Sequence, residues 1–247
     1  MKIALLGYGK MGHIVEQFAI GRNHEIVLTI NSSNSDALTH ENLNKVDIAI
    51  DFSTPYMAMR NIKACFEANL PLVIGTTGWY DYIDEVKNEC LSTNQALLYG
   101  SNFSIGVNLF FLINKVLANL MNNHPQYDIQ VEEIHHTQKI DAPSGTAITI
   151  AQDILSQVGR KKVWINNLAG TYQEQSYQPN QLLIESHRIE DVPGTHTVIY
   201  SSEVDEIALK HTAHNRNGFA IGAILAAEWL QGKTGFFSVA DMFKFEN

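Results

Sequence analysis

The sequence predicts an α/β protein in two parts, a parallel-sheet domain followed by a smaller α+β domain with a mixed or antiparallel sheet. Three observations carry this. The first hundred residues alternate apolar runs with segments of helical spacing. A G-x-G-x-x-G turn follows the first apolar run at once. Past residue 104 the runs begin to alternate polar and apolar residues.

In order, the strand-like runs of the first part are KIALLG, EIVLTI, VDIAIDFS, LPLVIGTT and QALLYGS. They are nearly continuous in apolar residues, as strands covered on both faces are. Between them lie helices. In MGHIVEQFAIG, Met11, Val15, Phe18 and Ala19 share a face, and in PYMAMRNIKACFEANL so do Met59, Ile62, Cys65 and Phe66. Strands alternating with helices mean a parallel sheet with helices on both sides.

The second part opens on IGVNLFFLINKVLANLM, a long and mostly apolar helix. DIQVEEIH, KVWINNL, QLLIESHRI, THTVIYSSE and DEIALKHTAH then read as strands, several with one covered face. The last two form a hairpin turning at 202–205. A helix over 144–158 interrupts them, with Ala147, Ile150, Ala151, Ile154, Leu155 and Val158 as its apolar stripe and Gly159 as its stop. The polar segment 170–181 reads as a loop. NGFAIGAILAAEWLQG is apolar nearly all round, hence a buried helix, and closes the first domain after the chain returns to it. The expected domain bounds are therefore 1–103, 104–216, and 217–247 as the returning segment.

The chain of 247 residues carries 17 Lys and Arg against 26 Asp and Glu, a net charge of -9. That balance argues against nucleic acid or an anionic membrane as partner, while a local basic site can still hold an acidic small molecule. The start lacks the pattern of a secretory leader, and no apolar run reaches the length of a membrane span. Cys65 and Cys90 form no disulfide framework and read as buried thiols in a reducing cytoplasm.

GYGKMG supplies Gly7, Gly9 and Gly12, which makes the first domain Rossmann-like. Gly7 permits the tight turn, Gly9 lets a pyrophosphate approach, and Gly12 allows helix and strand to pack. The helix N-terminus offers free N–H groups to the anion. An acid is expected about 20 residues on, to hold a ribose diol. Asn31 stands there, followed by Ser32 and Ser33. No arginine is nearby for a 2′-phosphate, and Lys10 is the nearest cation, so NADPH and NADH both stay open.

EEIHHTQKIDAPSGTAI, at 132–148, places two histidines, a lysine and a cluster of small polar residues together. Adjacent histidines alone are more often surface or packing residues, and HHTQK lacks the i, i+4 histidines of a zinc helix, so no metal is expected. His211 and His214, near Arg216, read as solvated structural residues. Together with GYGKMG, DFSTP, GTTG and SNFSIGVN, the EIHHTQKIDAPSGTA block resembles the 4-hydroxy-tetrahydrodipicolinate reductase, or dihydrodipicolinate reductase, family along nearly the whole chain. The resemblance implies NAD(P)H-dependent reduction of 4-hydroxy-tetrahydrodipicolinate, through dihydrodipicolinate, to tetrahydrodipicolinate in the diaminopimelate–lysine pathway. It implies a cytoplasmic homotetramer assembled through 104–216, which would also bind a small dicarboxylate substrate, with 1–103 holding the dinucleotide. His135 would be the general acid/base and Lys139 the second proton donor. His136, Ser144, Gly145 and Thr146 would hold the substrate. The cofactor would lie along Gly7, Tyr8, Gly9, Lys10, Met11 and Gly12, along Gly75, Thr76 and Thr77, and along Gly100, Ser101, Asn102 and Phe103, with Asn31 and Ser32 at the ribose. Where the family often has an acid, Asn31 departs from it. Two other classes remain in view: another two-domain NAD(P)-dependent dehydrogenase of amino-acid metabolism, and a non-catalytic NAD(H) sensor.

Overall fold

A computed structural model describes residues 1–169 and 177–243. Most of the loop expected at 170–181 therefore lies outside the described residues. The chain divides into two compact units, Met1–Ile105 with Asn217–Asn247, and Gly106–Arg216.

The first unit runs β1 (Lys2–Leu6), α1 (Lys10–Gly21), β2 (Glu25–Ile30), α2 (His40–Leu43), β3 (Ile48–Asp51), α3 (Pro55–Glu67), β4 (Leu72–Ile74), α4 (Ile83–Ser92) and β5 (Ala96–Tyr99). With a returning strand, β11 (Gly235–Ser238), its six-stranded sheet has the order β11-β5-β4-β3-β1-β2 and every pair is parallel. Strand β3 is buried along its whole length, as the continuous apolar run requires. The two sheet faces feed two apolar clusters, one holding Ile3, Leu5 and Val73, the other Ala4, Leu6 and Leu72. Alternate residues of one strand thus enter opposite cores. Cys65 and Cys90 are buried free thiols on α3 and α4.

The second unit holds most of α5 (Ile105–Met121), then β6 (Asp128–His135), α6 (Gly145–Gln157), β7 (Val163–Leu168), β8 (Gln181–Arg188), β9 (Gly194–Ser201) and β10 (Glu206–Ala213). The chain then returns to the first unit through α7 (Asn217–Leu230) and β11 (Gly235–Ser238). Helix α7 buries residues all round, as its composition predicts, and packs in the cluster with Ile3 and Val15. Strand β11, in the short run GFFS, has no signal in the sequence of its own.

The sheet of the second unit has the order β10-β9-β6-β8-β7. Strand β9 runs antiparallel to β6 and β10, while β6, β8 and β7 pair in parallel. The alternation of DIQVEEIH, read as a mark of antiparallel pairing, thus also occurs in a strand with a parallel neighbour. The alternation reports one-sided cover by α6, and not strand direction. Helix α6 lays Ala147, Ile150, Ala151 and Ile154 on the sheet, all fully buried. Each buried isoleucine contributes about 1.5–3 kcal/mol.

Candidate active site

In the first unit, a groove of about 640 Å³ opens at the carboxyl ends of β1, β2 and β3. β2 and β3 lie on opposite sides of β1, so this is the point where the strand order reverses. Open α/β sheets bind ligands at such a crevice. Gly7, Tyr8, Gly9, Asn31, Ser32 and Phe52 are among its lining residues. Gly7 has φ +91°, and a Cβ there would lie 2.3 Å from the Phe52 carbonyl oxygen. At Gly9 nothing comes within 4 Å of a built Cβ, which leaves the backbone open to a ligand. Gly9 caps α1 without a side-chain hydrogen bond. The first N–H groups of the helix, from Lys10, Met11 and Gly12, are therefore available to an anion. The Tyr8 hydroxyl donates to Glu16, which turns its side chain along α1. These residues fit a dinucleotide pyrophosphate.

Gly75, Thr76 and Thr77 follow β4, and Gly100, Ser101, Asn102 and Phe103 follow β5, at the same edge of the sheet. They do not line the groove itself. The Phe103 side chain is core, edge-on to Phe52 at 5.9 Å. Thr76 is buried, and its Oγ1 donates to Asp51 at 2.6 Å while accepting from Ser53 N at 2.8 Å. Asp51, fully buried at the end of β3, also accepts from Asn61 Nδ2 at 2.7 Å. Burial raises its pKa against the pull of these donors. This carboxylate ties the loops after β3 and β4 together, a role the sequence reading did not assign.

Asn31 Oδ1 accepts from Ser33 N and Oγ at 2.8 and 2.7 Å, so it shapes its own loop. The expectation of no nearby arginine needs correction. Helix α3 brings Arg60 to this loop, and its Nη2 donates to the Ser35 carbonyl at 2.7 Å. The two residues are 25 positions apart, so no local reading joins them.

In the second unit the chemistry grows from strand register. Along β6 the buried positions are Ile129, Val131, Glu133 and His135. One face therefore begins apolar and ends titratable. The register sets Glu133 between Ser186 on β8 and His196 on β9, and sets His135 beside Arg188. The fully buried Glu133 carboxylate accepts from Ser144 N at 3.1 Å and from the Ser186 hydroxyl at 2.9 Å. Arg188 approaches it at 3.4 Å. His135 Nδ1 lies 3.4 Å and His196 Nε2 3.7 Å away. Burial works against the Glu133 charge, but the Ser144 and Ser186 donors and His135 outweigh it and hold the pKa below its usual range. Burial lowers the His135 pKa, with Glu133 opposing and Lys139 and Arg188 assisting. Burial likewise drives His196 down to about 3. The ligand atoms of Glu133, His135 and His196 lie within 4.8 Å of one another. Arg188 already balances the carboxylate, so the cluster suits a proton site better than a cation.

Lys139 pairs with Asp141 at 2.8 Å. Arg188 Nε donates to the Lys139 carbonyl at 3.2 Å and its Nη2 to the Asp141 carbonyl at 2.6 Å, pinning this turn to β8. Ser144 caps α6, its Oγ accepting from Ala147 N at 3.1 Å, and it also meets His196 Nε2 at 3.0 Å. Its N–H is already bound to Glu133, so Ser144 is spent inside the protein. Gly145 and Thr146, at the first two helical positions, keep N–H groups with no partner inside the helix. Gly194 leaves room above His135, where a Cβ would come 3.1 Å from Nε2.

His136, alone of the four expected substrate residues, lines a groove of about 490 Å³ with Gln138, Glu190, Asp191, Pro193 and Arg216 among its walls. Its Nδ1 is buried without a hydrogen-bond partner. His211 differs from its solvated reading: it is half-buried against Phe110, and burial lowers its pKa. His214 is exposed.

A glycine turn at the switch point of a parallel sheet, with a separate unit carrying a buried acid–histidine cluster, defines a two-unit dinucleotide-binding α/β protein. The comparisons agree. Family models described as dihydrodipicolinate reductase, N-terminus and C-terminus, match residues 1–103 and 106–243. The chain belongs to the dihydrodipicolinate reductase family. It is 45% identical to the 4-hydroxy-tetrahydrodipicolinate reductase of Christiangramia forsetii, over 98% of this chain and 97% of that protein. It is 35% identical to the Rickettsia bellii protein of that name, over 96% and 91%. A dipicolinate-bound dihydrodipicolinate reductase from Paenisporosarcina sp. TG-14 shares the fold, with a TM-score of 0.81, 21% identity and 99% of both chains covered.

Proposed function

We propose that the chain reduces 4-hydroxy-tetrahydrodipicolinate, through dihydrodipicolinate, to tetrahydrodipicolinate, using NADH or NADPH. The β6 register that seats His135 against Glu133 is the observation that carries this reading, together with the family. Bound NAD(P)H supplies the hydride. Addition to a conjugated C=C–C=N system leaves negative charge on an enamine, and His135 gives the proton that follows. Burial keeps the free imidazole neutral near pH 7. A dicarboxylate brings negative charge and draws a proton onto it, so the acid forms where substrate is bound. Lys139 adds positive charge beside the growing anion. Three features are suited to the two carboxylates: Arg216 beside His136, in a groove that Glu190 and Asp191 also line, the N–H groups of Gly145 and Thr146, and the Thr146 hydroxyl. Ser144 acts in this scheme by orienting the helix N-terminus.

The test is a coupled assay: dihydrodipicolinate synthase, pyruvate and aspartate semialdehyde generate the substrate while NAD(P)H absorbance is followed. Substrate-dependent oxidation is expected. His135→Ala should lower kcat by about 10²–10⁴, or roughly 3–5 kcal/mol, with cofactor affinity retained. Another dehydrogenase would oxidise the cofactor only with a different substrate, and a sensor would bind it without turnover.

The assembly is proposed to be a homotetramer in a reducing cytoplasm. Outward apolar residues on α5, including Ile113, Val116 and Leu120, support association, and the two buried free thiols suit that compartment. No helix among the described residues is long and apolar enough to cross a membrane. Light scattering on the purified protein tests the tetramer.

A further inference from the structure

Helix α3 presents two side chains to the groove region that the glycine turn and the family resemblance leave without a role. Tyr56 is 96% exposed, yet it lines the groove. A ring held that far out of the core contributes no packing to the fold, while its flat face suits a second flat ring. Arg60 lies four residues on, so the two share one face of the helix. Its guanidinium is docked on the Ser35 carbonyl at 2.7 Å. Ser35 also lines the groove, at the end of the loop that carries Asn31 and Ser32.

That loop is neutral where it faces the groove. Asn31 Oδ1 is occupied by Ser33, Asn34 Oδ1 accepts from Asn31 N at 2.8 Å, and Asn34 Nδ2 donates to the Thr29 carbonyl at 2.8 Å. Asp36, its first carboxylate, does not line the groove, and Arg60 meets the groove only at the rim, through its bond to Ser35. The ribose position therefore has no charge to repel a phosphate, and it has an arginine fixed at its edge. One Arg60 N–H is used on Ser35. A guanidinium has five, and the docking bond reduces the freedom lost when the rest engage an anion.

We propose that α3 forms an adenosine subsite selective for the 2′-phosphorylated cofactor, in which Tyr56 stacks on the adenine and Arg60 pairs with the 2′-phosphate. This rests on the groove being the dinucleotide site. Selection for NADPH comes from a residue outside the ribose loop, on the next helix of the fold.

Calorimetric titration of the intact protein with 5′-AMP and with 2′-phospho-5′-AMP tests it. Wild type should bind the 2′-phosphorylated nucleotide at least about tenfold more tightly. Arg60→Gln should remove most of that ratio and leave 5′-AMP within about twofold. Tyr56→Ala should weaken both nucleotides alike, by about three- to tenfold. Both side chains are exposed, and melting curves matching wild type would exclude misfolding. An unchanged ratio in Arg60→Gln, or unchanged affinities in Tyr56→Ala, overturns the subsite. Binding of neither nucleotide to wild type, with NADPH oxidation intact, overturns it too while sparing the catalytic reading. Loss of both means the dinucleotide reading of the groove is wrong.

Discussion

The two sheets of this protein build their candidate sites in different ways. At the parallel sheet, Gly7, Gly9 and the first turn of α1 offer backbone, and the groove follows from strand order. At the mixed sheet, Glu133, His135, Ser186, Arg188 and His196 offer side chains, and the cluster follows from register. A backbone site is written in consecutive residues. A register site is written in pieces up to 63 positions apart, as Glu133 and His196 are. The first should fail when the backbone is forced to move, and the second when one charge is removed.

The largest effect is expected at Glu133. Replacing it with Gln leaves Arg188 facing a neutral buried amide and leaves one acceptor oxygen where Ser144 N, Ser186 and Arg188 shared two. A loss of about 3–5 kcal/mol in chemical denaturation is expected. Glu133 also raises the proton affinity of His135, so Glu133→Gln should move the acid-requiring limb of the pH–rate profile to lower pH. A merely structural residue would lower stability and leave that limb in place.

Gly7→Ala strikes the other sheet. The φ of +91° and the 2.3 Å approach to the Phe52 carbonyl leave no room for a methyl group. The cofactor KM should rise by about tenfold or more, while the substrate KM changes little. Equal rises in both would mean that the two sites are not separable. The smallest effect is expected at Thr146→Val, which keeps the N–H groups of α6 and deletes one hydroxyl. The dicarboxylate KM should rise by about three- to tenfold, roughly 1 kcal/mol, with the cofactor KM unchanged. A change confined to the cofactor KM would move Thr146 to the other site.

The same contrast explains what could be read from the sequence. The glycine turn, the alternation of strands and helices, and the buried α7 were all visible because each lies in one stretch. The pairing of Glu133 with His135 was also open to reading, since every second residue of DIQVEEIH shares a face. Ser186, Arg188 and His196 were not, because nothing local says that β8 and β9 flank β6. Arg60 was missed for the same reason, since only the fold sets α3 beside the loop after β2. Four-residue elements such as α2 and β11 are too short to show a period. Ser144 was placed at the right helix terminus, yet its groups turn inward to Glu133 and His196.

The pH dependence of kcat/KM tests the central claim most directly, since it reports ionisations of the free protein. His135 must be protonated to act as an acid, and burial lowers its pKa below the ordinary 6.5. The protonated fraction therefore declines as pH rises, and kcat/KM should fall about tenfold per unit above an apparent pKa under that value. In His135→Ala the residual rate should lose this limb. A wild-type profile that is level from pH 5 to 8, or a limb that survives the substitution, would contradict the assignment of His135 as the acid.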